Sequence, residues 1–266
     1  MRKAGIALSA FALAITLSAC GDNGGGTSSD SSAGAAQLVA LAKSIGDETS
    51  KANSAHMTIT ADAAGQKITG AGDLKFGSAD SAIAMEMTTA QGSVSMVFVE
   101  NVLYMKLPQE LEPGKPWVKV DPNSDSVLAK ALSSLNESLS KNADPRAALK
   151  VFENSGEVTT SKDEQLDGRK TTHYTITVDV RKMADNQADP AQKKAMQDAI
   201  AGGMKDFPVD VWVDEAGLPV RFAMDAPAPD GKGGLTSVKM RVDYTDWGRP
   251  VDIAPPPADQ TTEPPA

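Results

Sequence analysis

The chain has 266 residues, a length that fits one large domain or two small ones. With 41% hydrophobic and 23% charged residues it can bury a core, and a net charge of −9, with no basic block beyond the first three residues, excludes the positive face that nucleic-acid phosphates need. One cysteine rules out an internal disulfide and a thiolate metal or iron–sulfur cluster, and two histidines are too few for a histidine-based metal site, so no metal or other cofactor is expected.

Residues 1–19 read as a secretory signal: Arg2 and Lys3, then an apolar run from Ala4 to Leu17, too short for the ~20 residues of a spanning helix. The only cysteine closes that run in Leu17-Ser18-Ala19-Cys20. This tetrad resembles the bacterial lipobox, which implies cleavage before Cys20 and attachment of palmitate-type acyl chains to it. Loss of the signal removes two positive charges and no acid, so the body is more acidic still. Anchoring to the outer face of the plasma membrane through Cys20 is therefore expected to rest on acyl chains, each buried methylene adding ~0.8 kcal/mol.

Residues 20–34 continue as a Gly/Ser/Asp tether that cannot bury apolar surface. A folded body is expected over 35–253, followed by a proline-rich, disordered tail over 254–266. The body opens on a helix, since Leu38, Leu41, Ala42 and Ile45 make one apolar stripe. From Ser54 the period changes to two. Met57, Ile59 and Ala61 alternate with threonines, Ile68 and Leu74 flank Gly70 and Gly72, and Ile83, Met85 and Met87 are followed by Val94, Met96 and Phe98. A Glu100-Asn101 turn leads into 102–107, and 117–120 adds a short strand. Connections this short make antiparallel hairpins.

Helices interrupt the sheet next. Val127, Leu128, Ala131, Leu132, Leu135 and Leu139 form a stripe, and Asp144-Pro145 and Asp189-Pro190 each put a capping acid before a first-turn proline, starting helices over 145–154 and 190–205. Leu149, Phe152, Met196 and Ile200 are expected to face inward. Strands resume over 171–180 after an Asp167-Gly168 turn, over 209–213 and 218–224 around Asp214–Gly217, and over 235–244. The order predicts an α+β domain on one strongly curved antiparallel sheet.

Catalytic motifs are weak. Ser138 and Lys141 have the Ser-x-x-Lys spacing, but its companion motifs fall in the wrong order. Asp121, Asn123 and Asp125 have calcium-loop spacing, yet Ser126 stands where glycine is needed and Leu132 where a bidentate glutamate is needed. His56 and His173 read as surface or edge residues without a partner nearby in sequence. No catalytic residue is assigned, and the chain reads as a protein that is not an enzyme. What remains is the apolar face of the sheet, rich in methionine, whose thioethers adapt to varied apolar partners. Composition alone leaves open whether this face is packed core or ligand surface.

Three late stretches carry a family resemblance: Tyr174–Asp179 (YTITVD), 209–221 (VDVWVDEAGLPVR) and 244–253 (YTDWGRPVDI). With the lipobox, tether, hairpins and helical insertion, they resemble the LppX/LprAFG-type lipoproteins of actinobacteria, relatives of the LolA and LolB carriers. The resemblance implies a half-barrel with helices packed across its concave face and an apolar cavity between the layers. It further implies a membrane-anchored protein that binds lipid or glycolipid acyl chains and carries them across the cell envelope, as a monomer. Cavity candidates are Met57, Ile59, Ile83, Met85, Met87, Val94, Met96, Phe98, Leu128 and Leu132. The alternative is an envelope scaffold or protein-binding module with a closed core.

Overall fold

The computed structural model describes residues 29–63, 65–76, 81–106, 108, 110–120, 149, 152–187, 190–229 and 234–263. Cys20, the 127–139 stripe with Leu128 and Leu132, and the Ser-x-x-Lys and calcium-loop spacings lie outside them. Twelve strands form one open sheet in the order β12-β6-β5-β4-β3-β2-β1-β11-β10-β9-β8-β7. Two meanders build it. β1 (Ser54–Ala63), β2 (Gln66–Lys75), β3 (Ala82–Thr89), β4 (Gly92–Val99), β5 (Val102–Lys106) and β6 (Trp117–Val120) make one half. β7 (Gly156–Leu166), β8 (Arg169–Val178), β9 (Phe207–Asp214), β10 (Pro219–Pro229) and β11 (Leu235–Thr245) make the other. Antiparallel pairing of β1 with β11 joins the halves in the middle.

Local chemistry explains the hairpins. Glu100 and Asn101 take φ of 54° and 63°, and Asp167 and Gly168 take 51° and 81°. Positive φ at both central residues gives the turn twist that matches paired strands. Asn53, at φ 65°, ends the first helix, its N–H returning to the Thr49 carbonyl at 2.9 Å before β1 starts.

That helix, α1 (Ser29–Ala52), starts earlier than the tether reading allows. Residues 29–34 are helical, and the sequence favours this: Ser and Asp suit a first turn, where acid meets the exposed N–H groups, and the following alanines propagate it. Leu38, Leu41, Ala42 and Ile45 are 0%, 7%, 4% and 0% exposed and join the sheet's core cluster. Leu149 is helical and fully buried in the same cluster, with Phe152 packed against it.

The expected strand over 171–180 stops at Val178, because Asp179 caps a new helix, α2 (Val180–Asp185), accepting from the Arg181 and Lys182 N–H groups. The 190–205 helix is shorter than expected. α3 (Pro190–Ala201) ends before Gly202-Gly203, Gly203 taking φ 102°. Met196 is half-buried and Ile200 packs on the core. No helix among the described residues is long and apolar enough to cross a membrane.

The tail departs most from its expected disorder. After β11 the chain bonds to β1, with the Gly248 N–H on the Ser54 carbonyl at 3.0 Å and the Ser54 hydroxyl on the Arg249 carbonyl at 2.6 Å. It ends in a 3-10 turn (Ala258–Gln260) and β12 (Thr261–Thr262), which pairs parallel with β6 at Trp117 and Val118. Prolines lack the N–H that a ladder needs, so pairing starts only beyond the last of them in this run, Pro257. Thr262 also donates to Glu112 at 2.9 Å. Deletion of 254–263 is expected to cost about 1–3 kcal/mol by uncovering the β6 edge, read as a lower denaturant midpoint. An unchanged midpoint would show the strand to be idle.

Candidate functional site: the methionine face of the sheet

Directly opposed residues in antiparallel strands point to the same face, so the register sorts the apolar side chains into rows. The innermost row runs Ala55, Leu74, Ile83, Phe98, Leu103, Val120 across β1 to β6. Every member is at most 4% exposed. This is a sealed floor.

Two residues further along each strand the character changes. The next row runs Tyr244, Met57, Gly72, Met85, Met96, Met105, Val118. Its four methionines are half-buried and pack against the core cluster beside them. A third row, Val242, Ile59, Gly70, Met87, Val94, lies beyond it, and Ile59, Met87 and Val94 are again half-buried. The face continues into the second meander as Ala61, Met240, Met224, Val209 and Ile176.

Ten of the eleven methionines fall within the described residues, and all ten are half-buried. The fully buried core is built from Leu, Ile, Val, Phe, Ala and Tyr, with no methionine among the described residues. A thioether used merely as filler would be expected inside. Here methionine marks the boundary between sealed core and reachable surface.

Two glycines shape this boundary. A Cβ on Gly72 would lie 2.1 Å from the Ala84 carbonyl oxygen and 2.7 Å from Met85 Cα, both backbone atoms of β3. At Gly70 it would meet Ile59 Cγ2 at 2.9 Å. Both glycines stand in the methionine rows, so β2 puts no side chain there and the neighbouring strand comes close. Glycine in a strand interior marks such close approaches and bends.

Of the sequence candidates, Met57, Met85 and Met96 share one row, and Ile59, Met87 and Val94 the next. Ile83 and Phe98 belong to the floor, at 4% and 1% exposure, as part of the packed core cluster. Met105, Met224, Met240, Gly70 and Gly72 complete the face. Their phase was visible in the two-residue period of each strand, but their neighbours depend on cross-strand register.

Over β1, β2 and β7 to β11 the opposite face is mostly polar, and it corrects the reading of the histidines. His56 Nδ1 lies 2.8 Å from Asp73 Oδ1. His173, only 13% exposed in its side chain, has Nε2 2.8 Å from Asp210 Oδ1, and Glu164 Oε1 lies 3.3 Å from its Nδ1 at an angle that makes no hydrogen bond. Its ring stacks on Trp212 at 4.1 Å, the Trp212 N–H donates to Glu164 at 2.6 Å, and Arg221 sits 6.0 Å over the same indole while pairing with Asp243 and Asp167. The partners were hidden because each comes from another strand. No nucleophile is poised in this ladder, and among the described residues no group of three or more His, Cys, Asp or Glu could hold a metal ion. The ladder clamps β7 to β11 from outside.

The Lys162 ammonium, and after it the Trp212 N–H, hold the Glu164 carboxyl below its ordinary value. A carboxylate lowered on folding stabilises at pH above its unfolded value and loses that contribution as pH falls through the folded one. The gap in urea midpoint between wild type and Glu164→Gln is therefore expected to be widest at neutral pH and to close on acidification below 4.5. A gap that does not vary with pH would remove the ionic part of the clamp.

No protein-family model matches the sequence. An uncharacterised 31.2 kDa protein from the rplA–rplJ intergenic region of Streptomyces griseus is 25% identical over 186 residues, 68% of this chain and 59% of that protein, so the match spans under two thirds of the relative. Among solved structures, LprF from Mycobacterium bovis is similar with a TM-score of 0.49 at 14% identity, covering 83% of this chain and 97% of LprF. LprF is one of the lipoproteins whose family the late strands of the sequence resemble. MucB from Pseudomonas aeruginosa, solved in complex with MucA, has a TM-score of 0.34 at 13% identity, over 78% of this chain and 55% of the other.

Proposed function

We propose that this chain is an exported lipid-binding protein of the cell envelope, anchored to the outer face of the plasma membrane through acylated Cys20. It accepts the acyl chains of a lipid or glycolipid in an apolar cavity and carries them between envelope layers, without covalent chemistry, cofactor or nucleic acid, and as a monomer. In this reading the sheet is a curved half-barrel, its glycines at positions 70 and 72 tighten the bend, and helices cover the concave face. The observation that carries it is one apolar face with two kinds of row side by side: a sealed row of Ala, Leu, Ile, Phe and Val, and next to it along the strands a row with four half-buried methionines. A protein with no use for that row could have closed it with the same side chains as the floor. Burial of acyl methylenes there supplies affinity in proportion to area.

Native mass spectrometry of the detergent-free chain beginning at residue 20 with Cys20→Ser tests this directly. Reproducible extra mass from lipid supports a carrier, whereas a bare polypeptide mass supports the closed scaffold. Met96→Asp sharpens the test, since a carboxylate in the row must be desolvated when an acyl chain enters. The variant is expected to fold, with an unchanged far-ultraviolet spectrum, and to lose its lipid. A variant that keeps lipid at the wild-type level would move the binding site off this face.

A further inference from the structure

Met96 is directly opposed by Met85 on one side and Met105 on the other, so three adjacent strands carry thioethers side by side in one half-buried row. Such opposed side chains have Cβ atoms about 4.5–5.5 Å apart. No thiol competes with them, because the body after Cys20 contains no cysteine. A half-buried thioether is reachable by small oxidants, and its oxidation turns a flexible apolar group into a polar, chiral sulfoxide. The adjoining sealed row, made of Leu, Ile, Phe, Val and Ala, has no group that reacts in this way.

From this arrangement we infer that the Met85–Met96–Met105 row is a modification site for hydroperoxide-class oxidants, and that sulfoxide formation there switches off apolar ligand binding. The inference rests on the lipid-binding reading of the same face. In each step a thioether sulfur attacks one oxygen of the peroxide, the O–O bond breaks, and one S=O bond forms. The other oxygen leaves with the proton as water or an alcohol. Sulfur is oxidised by two electrons and the peroxide is reduced by two. Three neighbouring S=O dipoles would then have to lose their water for an acyl chain to lie across them, and the three side chains carry no N–H or O–H of their own to replace it. Methionine sulfoxide is reducible, so the change is reversible in principle.

The position of the row, and not methionine content in general, carries the effect. Met183 in α2 and Met204 after α3 are half-buried and packed on the core as well, yet they lie off the sheet. Leucine nearly conserves the volume of methionine and cannot be oxidised at sulfur.

The test uses the Cys20→Ser chain beginning at residue 20, hydrogen peroxide, and a fluorescent long-chain fatty acid as probe. Three proteins are compared: the parent, Met85→Leu/Met96→Leu/Met105→Leu, and Met183→Leu/Met204→Leu. Peroxide is expected to add oxygen at all three row methionines by peptide mass mapping, and to weaken probe binding by the parent and by the second variant roughly tenfold or more. The row variant is compared with itself, and its probe affinity should be the same before and after peroxide. Row methionines that stay unoxidised while Met183 and Met204 react would overturn the site. Full oxidation of the row with unchanged probe binding would overturn the switch, as would equal peroxide sensitivity of the row variant. If the untreated parent binds no probe, the lipid-binding reading fails and takes the switch with it, while the mapping still decides whether the row is a modification site.

Discussion

Gly72→Ala is expected to cost at least about 3 kcal/mol, at the upper end of single substitutions, although it adds only one methyl group. The new Cβ would stand 2.1 Å from the Ala84 carbonyl oxygen and 2.7 Å from Met85 Cα. Neither atom is the free end of a side chain. Both belong to β3, which is held by its ladder to β2 on one side and to β4 on the other, so relief requires the whole register to open. Gly70→Ala is expected to cost less, because its nearest obstacle, at 2.9 Å, is a methyl of the Ile59 side chain. Gly65→Ala separates this effect from backbone strain. Gly65 has φ +82° and nothing within 4 Å of its Cβ direction, so its cost is the left-handed conformation alone, about 1–2 kcal/mol. Denaturant midpoints should fall in the order Gly65 or Gly70, then Gly72, each relative to wild type. A Gly72→Ala protein as stable as the Gly65 variant would mean that β2 and β3 have room to separate, and the close approach of the two strands at Gly72 would not be needed by the fold.

The residues announced this architecture unevenly. Most strands and hairpin turns were legible because their signals are local: a period of two in Met57-Ile59-Ala61, and turn residues at Glu100-Asn101 and Asp167-Gly168 that tolerate positive φ, whereas β7, with its run of Thr, Ser, Lys and acid residues, was not read as a strand. The apolar phase of the face was legible for the same reason. Depth along it was not. Ile83 and Met85 occupy equivalent phases of one strand, yet one is sealed and the other half-buried, because depth is set by what lies over each row. The central β1–β11 pairing and the contacts of His56 with Asp73 and of His173 with Asp210 join residues far apart in sequence, which no local pattern records. At both ends composition misled. Ser, Asp and Gly in 29–34 suit a helix start as well as a tether, and a proline run can lead into an edge strand as readily as into disorder.

That difference in depth gives the last expected result, a comparison of Phe98→Ala with Met96→Ala. The two residues sit two apart on β4, point to the same face, and lose side chains of comparable apolar bulk. Phe98 is 1% exposed and stands between Ile83 and Leu103 in the floor. Its truncation leaves a void that backbone on both sides prevents from closing, so the transfer and cavity contributions add to about 3–5 kcal/mol. Met96 is half-buried. Part of its surface already meets no protein atom, less burial is lost, and solvent can enter the space, so a cost near 1 kcal/mol is expected. Urea midpoints at a single pH, with the m-value checked to be constant, measure both. A large gap means that the floor holds the domain together while the row beside it is free to serve a ligand. Equal costs at the Phe98 end of the range would make Met96 part of the core. The methionine face would then be closed, and the lipid-binding reading would lose the observation that carries it.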